Sequence, residues 1–425
     1  METVKIDIFT SVKWFGLEVN NIYNDDFLDF LKMFSHQIFH DNQEIEIHRI
    51  QKKNTLMIEK LDLLIKKHSK KIPSLYKIKA NLNQLKDGEH FIILINSIDL
   101  TQKQKMEIAL EIEVLNGRLS TKAKHEDAHN KFMQILDDYD IRAVSEERKI
   151  KLGEANKEVR KCRFCFKGKK EGVTFISEAH VISEALGNKT LIQHEECDQC
   201  NSYFEKNIEK HLIKYLDLYR TFFGVKNKEN NVPVIKGKNF EYRKIDEKNL
   251  LIKHQISDEE DIKEYDISNG IPLKFHDKLI KQNIYKTLVK FAIGVMEPQD
   301  LQSLKQTIEW VRNDLFVEKL PKVGILSDYN LYSENPRIVV YVRKNRDINL
   351  PYTIGEFHFK FLTFVFVLPS FEHNEKDFID ESCYDSIWDV FNFFNISGTM
   401  EFEDFSNSVE EDLQIKLRFR PIEKN

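Results

Sequence analysis

The chain has no run of apolar residues long enough to span a bilayer, so no membrane-spanning helix and no membrane partner are expected. Its first residues, METVKIDIFTSVKW, carry no basic segment followed by an apolar one. No secretory signal is therefore expected, and the cytoplasm is the expected compartment. It also lacks an excess of positive charge: 64 Lys and Arg stand against 69 Asp and Glu, a net charge of -5. Bulk charge therefore does not point to nucleic acid, and any contact with phosphates has to be local. Cysteine is scarce, five residues in 425, too few for a disulfide scaffold. The first 147 residues contain no glycine motif that would cradle a nucleotide.

The chemistry that is present is concentrated between Cys162 and Leu212. Four of the five cysteines form two Cys-x-x-Cys pairs, Cys162/Cys165 and Cys197/Cys200, while Cys383 lies far away. Each Cys-x-x-Cys turn presents two thiolates to one ion, and two turns complete a tetrahedral zinc shell. A disulfide pair or a thioredoxin-like redox site would explain one pair but not two in a reducing compartment. Structural Zn2+ is the expectation. The gap between the pairs, residues 166–196, is longer than a minimal zinc ribbon needs and must hold structure of its own. Val173–Ile176 and Ala179–Ile182 are β-prone, Gly187-Asn188 reads as a turn, and Tyr203, Phe204, Ile208 and Leu212 have helical spacing. Two short strands and a helix would set His180 opposite Asn201. His194 and His211 read as surface histidines, and Asn188 as a turn residue.

The segments AHVISEALGNK and CDQCNSYFEKNIE resemble the HNH-type (ββα-metal) endonucleases, in the branch that carries two zinc-binding Cys-x-x-Cys pairs. The resemblance covers about 50 residues. It implies a metal-dependent endonuclease that hydrolyses phosphodiester bonds, with His180 as the general base. It further implies that Asn201 and Glu209 lie on the side of a catalytic Mg2+ or Mn2+. At helical spacing Asn201, Glu205 and Glu209 would share one face. Two positions depart from the family pattern: Ala179 stands where many members have an acidic metal ligand, and Ser183 where a proline is common. Glu178 is the carboxylate left to serve as a metal ligand near the base. A neutral imidazole takes a proton from water near pH 7, and a divalent cation on oxygen ligands neutralises charge at the phosphorus.

The expected fold class is α+β multidomain. A zinc-clamped ββα-metal module at 148–215 would lie between a mixed α/β domain, 1–147, of unreadable role, and an α+β C-terminal domain, 216–425, regulatory or target-binding. Strands are expected at 4–9, 44–50, 90–98, 337–342, 356–368 and 414–419, and helices at 101–115, 125–137, 208–223, 276–296 and 298–315. The aromatic runs at 357–366 and 388–394 read as core. From Arg148 to Lys170 ten Lys or Arg stand against Glu154 and Glu158 as they enter the module; they suit phosphate contacts or a solvated face equally well. The expected partner is nucleic acid, double-stranded DNA first, with a regulatory protein or a second copy of the chain also open. Large flanking domains resemble the arrangement of regulated phage-defence nucleases. The competing reading is a zinc module that binds nucleic acid or protein without cutting.

Overall fold

The computed structural model describes residues 3–12, 14–20, 25–39, 44–69, 74–95, 102–117, 138–143, 149–227, 229–247, 249–255, 270–328, 332–371, 376–380 and 399–417. The architecture is mixed α/β with several small sheets, as an α+β chain requires. The chain divides into two compact units, Met1–Leu136 and Asp137–Asn425. The helix expected at 125–137, the aromatic run at 388–394 and Cys383 lie outside the described residues. No helix among the described residues is long and apolar enough to cross a membrane.

In the first unit, alternating apolar residues produce an antiparallel sheet in the order Trp14–Asn20, Thr3–Phe9, His90–Ile95, Ile50–Lys52. Period-two alternation gives each strand two faces. Ile6, Ile8, Phe91 and Ile93 pack with helices Thr55–His68 and Ser74–Leu82, whereas Phe9 and Ile92 pack with Ile108 and Ile112 of helix Gln102–Leu115. Asn54 caps the first of these helices, its side chain accepting from the Met57 amide at 2.8 Å.

The second unit is built on a six-stranded antiparallel sheet in the order Thr399–Glu403, Val323–Ser327, Leu362–Val367, Thr353–Lys360, Ser333–Arg343, Tyr139–Ala143. The segment 356–368 is two strands, because Lys360 takes a left-handed φ of 58° and turns the chain. Phe357, Phe359, Phe364 and Phe366 are fully buried, as a core run should be. Against this sheet lies the helix Lys281–Val295, in which every residue from Gln282 onward is buried. Phe291 packs against Phe357 with the rings tilted at 56°, and the Tyr285 hydroxyl donates to the Val367 carbonyl at 2.6 Å. A helix buried on all sides must find partners for each polar side chain. Gln282 donates to the Val317 and Ser406 carbonyls, Asn283 to the Asn207 carbonyl, Lys286 to the Asn313 carbonyl, and Lys290 to the 180–181 backbone.

The helix starts later than its sequence pattern suggested. Residues 276–279 belong instead to the strand Ile271–Leu279, where Leu273, Phe275 and Leu279 are buried and His276 is exposed. Strand Glu411–Leu417 pairs along it and takes up its backbone groups. Residues 298–315 likewise form a 3-10 turn, Asp300–Leu304, before the α-helix Lys305–Arg312. The cysteine-bearing segment shares one apolar cluster with the C-terminal helices and sheet: Phe164, Val181, Phe204, Leu288, Phe291 and Phe357 all belong to it.

Candidate active site

The cysteine knuckles close as their spacing requires. The Sγ atoms of Cys162, Cys165, Cys197 and Cys200 lie within 4.8 Å of one another, and none is in a disulfide. Cys165 and Cys197 sulfurs are 3.7 Å apart. A tetrahedral Zn–S bond of about 2.3 Å gives an S–S edge of about 3.8 Å, so this donor set fits structural zinc. The four thiols share protons unevenly: contacts from Cys162 and Cys200 lower Cys197, while contacts within the same cluster raise Cys165 and Cys200. In the first knuckle, the Phe166 amide donates to the Cys162 carbonyl at 2.8 Å, and Phe166 takes a left-handed φ of 59°. The second knuckle runs into the helix Asp198–Phe204, whose Asn201 amide donates to the Cys197 carbonyl at 2.9 Å.

Between the knuckles, Ala179–His180 pairs antiparallel with Leu191–Gln193, with His180 opposite Ile192. With the following helix this makes a ββα unit. A third strand, Ile150–Leu152, joins in parallel. Residues 173–176 form no strand. Asp198 meets part of this backbone instead: its carboxylate accepts from the Ile176 and Ser177 amides at 2.9 Å each, and its own amide donates to the Thr174 carbonyl. Burial opposes ionisation of Asp198, yet hydrogen bonds from Ser177, Thr174 and these amides hold its pKa down to about 2. Asn188 is the staple of the intervening loop. Its Nδ2 donates to the Ile182 and Leu191 carbonyls, and its Oδ1 accepts from the Thr190 and Leu191 amides.

The His180 side chain is 15% exposed, with Nε2 3.4 Å from Glu184 Oε1. Its Nδ1 is buried and has no hydrogen-bond partner among the described residues. Burial lowers its pKa, opposed by Glu184 and supported by Lys290, so the ring is neutral near pH 7. The strand beneath it is anchored from far along the chain. Lys290 Nζ, fully buried, donates to the His180 carbonyl at 2.9 Å and the Val181 carbonyl at 3.3 Å. The same ammonium lies 2.9 Å from Glu209 and 3.3 Å from Glu196. Burial, offset first by Lys290, raises the Glu196 carboxyl to about 7. Around this anchor the helix 281–295 is moulded to the site. Arg163 donates to the Ile293 and Met296 carbonyls and to Glu195, and Gln193 donates to the Gly294 carbonyl at 2.7 Å. A Cβ on Gly294 would meet Val181 Cγ1 at 2.7 Å, so only glycine lets helix and strand approach this closely.

The structure distributes the expected site residues unevenly. Lys290 links Glu209 to the backbone carbonyl of His180, not to its ring. Asn201 is half-buried, and no hydrogen bond or ion pair among the described residues joins it to His180 or Glu209. Glu178 is exposed and paired with Lys149 at 2.6 Å and Lys151 at 3.2 Å, contacts that hold its pKa down to about 2. The shared face expected of Asn201, Glu205 and Glu209 is not formed. Residues Glu205–Glu209 make a π-helical turn, which adds a residue to the turn and leaves Glu205 exposed and Glu209 buried. His211 is not a surface histidine. It is 3% exposed, and its Nδ1 accepts from the Ile280 amide at 3.0 Å. Glu184 and Lys290 were missed by sequence reasoning. An acid four residues after His180 was a signal for Glu184; Lys290, 110 residues away, had none.

Comparison with known proteins bears on one segment. Residues 162–217 match the HNH endonuclease family. No curated protein and no solved structure gives a significant match to the chain.

Proposed function

We propose, with residues 162–217 as an HNH endonuclease module, that this protein is a metal-dependent nuclease hydrolysing phosphodiester bonds, with DNA as its substrate. The observation that carries the reading is His180: a neutral, mostly buried imidazole on the first strand of a ββα unit clamped by four cysteines. Nδ1 is buried, so Nε2, which lies 3.4 Å from Glu184 Oε1, is the nitrogen assigned to take a proton from water. The water then attacks phosphorus, and the bond to the leaving sugar oxygen breaks. Lys290 holds the His180 backbone at a fixed height against the helix, which keeps the base within reach of that water. Glu209 acts from behind, as the counter-charge of Lys290.

The cysteine cluster is a sulfur site and suits zinc, so the catalytic ion needs oxygen donors elsewhere. Among the described residues no other group of three His, Cys, Asp or Glu could hold a metal. A small hard cation that keeps most of its shell as water and substrate phosphate needs only one or two protein donors. Asn201 and, once free of its lysines, Glu178 fit that part. Such an ion, Mg2+ or Mn2+, would stabilise charge on the phosphoryl oxygens and the leaving oxygen. A nuclease embedded in a large chain suits an effector held in check until triggered, and phage DNA is the target class that this arrangement suggests.

The test is incubation of the full chain with plasmid and Mg2+ or Mn2+, with and without EDTA, beside His180→Ala. Metal-dependent nicking by the parent and its loss in the variant, by about 10²- to 10⁴-fold with zinc and binding retained, is expected. Binding without cutting by the parent would favour the zinc module as a passive nucleic-acid or protein reader.

A further inference from the structure

We propose that Lys149 and Lys151 form a phosphate-binding subsite on the sheet face that carries His180, and that Glu178 occupies it as an internal stand-in for a nucleic-acid phosphate. This rests on the nuclease reading of the same site. It starts from strand register. Lys151 is beside Ile192 in the parallel pair, and Ile192 is beside His180 in the antiparallel pair. Residues in register on neighbouring strands project to the same face, so Lys151, Ile192 and His180 form one row across the sheet. Lys149 and Glu178, each two residues before a member of that row, return to the same face. The ion pairs agree: Glu178 Oε2 is 2.6 Å from Lys149 Nζ, and its Oε1 is 3.2 Å from Lys151 Nζ. The opposite face, with Ala179 and Gln193, is turned to the buried helix.

Three other basic residues of the run are engaged elsewhere, while Lys157, Lys161, Lys167 and Lys170 are also exposed. Arg160 donates to the Glu154 and Ala155 carbonyls, and Arg163 to Glu195 and the carbonyls of the buried helix. Both are buried and belong to the frame. Lys169 pairs with Glu158. Lys149 and Lys151 keep 49% and 47% of their side chains exposed beside the candidate base. A carboxylate that bridges two ammonium groups with separate oxygens makes the contacts that two non-bridging phosphate oxygens would make. Glu178 is itself 49% exposed, and pairs of this kind are weak and salt-screened. Little therefore opposes its exchange for a backbone phosphate. Strand Ile150–Leu152 precedes residue 162, outside the matched segment, so the subsite is a feature of this chain's own surroundings to the module.

The experiment measures binding of a short fluorescent DNA duplex by the full chain in EDTA across a salt series, with cleavage followed separately in Mg2+. Lys149→Gln/Lys151→Gln should bind more weakly than the parent. Its slope of log affinity against log salt should be shallower by about 2, one unit per lost phosphate contact. Glu178→Gln should shift the other way, with several-fold tighter binding and a steeper slope, because its lysines meet phosphate without a competitor. In cleavage, the double variant should raise KM and leave kcat within about twofold. Equal affinity and slope in parent and double variant, or weaker binding by Glu178→Gln, overturns the subsite and leaves the nuclease reading standing if the parent cuts. A parent that binds through these lysines but never cuts retains the subsite and overturns the nuclease. A parent that binds no duplex overturns both. Melting temperature and zinc content of each variant establish that the surface changes leave the fold intact.

Discussion

Replacement of Lys290 by methionine tests the anchor beneath the base. Methionine keeps most of the volume and removes the charge and the donor. Glu209 and Glu196, at 2.9 and 3.3 Å from the ammonium, then lose the buried cation between them, and the His180 and Val181 carbonyls lose their donor. Removing one partner of a buried ion pair costs about 3–5 kcal/mol. Protonation limits the loss from the other side. Taking one glutamate from its reference pKa of about 4.3 to the acid form at pH 7.5 costs about 4 kcal/mol. Glu196, raised by burial to about 7, is already near that form, so the new cost falls on Glu209. A loss of about 4 kcal/mol in a unit of this size lowers Tm by roughly 8–16 °C. The sign with pH follows. A buried carboxyl without its cation has a folded pKa above its unfolded one, so its penalty is small below pH 4 and grows as pH rises. The gap between parent and variant should narrow by roughly 2–3 kcal/mol between pH 7.5 and 5.5. Adding Glu209→Gln should recover much of the loss. Below its melting range, the single variant should cut about 10- to 100-fold more slowly, because the strand holding the base is loosened. Thermal melts at the two pH values and cleavage rates on the same preparations provide the measurements. A variant that melts within 2 °C of the parent at pH 7.5, or a gap that widens on acidification, would refute the reasoning.

Elemental analysis should find one Zn2+ per chain, and Cys197→Ser should lose it and unfold the ββα region rather than only slow turnover. A zinc-free, fully folded protein would remove that assignment. In Asn201→Ala, the midpoint of cleavage against Mg2+ concentration should rise while zinc stays bound; an unchanged midpoint takes Asn201 out of the metal shell. Burial holds the His211 pKa down to about 4, with Nδ1 accepting from Ile280, so its neutral form is the one the fold selects. That contribution, about 2–3 kcal/mol, is present above pH 6.5 and lost as pH falls toward 4. Acid melts of the parent against His211→Gln should show the parent losing more over that window.

The amino-acid order alone determined the parts whose partners lie close in the chain. Two Cys-x-x-Cys turns declare a metal cluster because each turn holds half of the shell, but of the two strands expected between them only Ala179–His180 forms, and its partner Leu191–Gln193 was not anticipated. The alternation in 4–9 announces a strand because side chains alternate between two faces, and the apolar runs at 90–98 and 356–368 announce theirs as continuous buried stretches, the first ending at Ile95. Partners distant in sequence left no such mark. No periodicity says that Lys290 reaches under His180, that Gly294 must be small for Val181, or that Asp198 satisfies the backbone of 176–177 in place of a strand. The face of Glu209 was misjudged for a related reason. A π-turn changes the rotation between residues, and the carbonyl of Asn207 within it accepts from the Asn283 side chain of another helix. Tertiary structure also divided the basic run, sending Arg160 and Arg163 inward to carbonyls and leaving Lys149 and Lys151 on the face of the base. Charge count along the chain could not separate them, because what distinguishes a framework arginine from a surface lysine here is which carbonyl or carboxylate the fold brings within 3 Å of it.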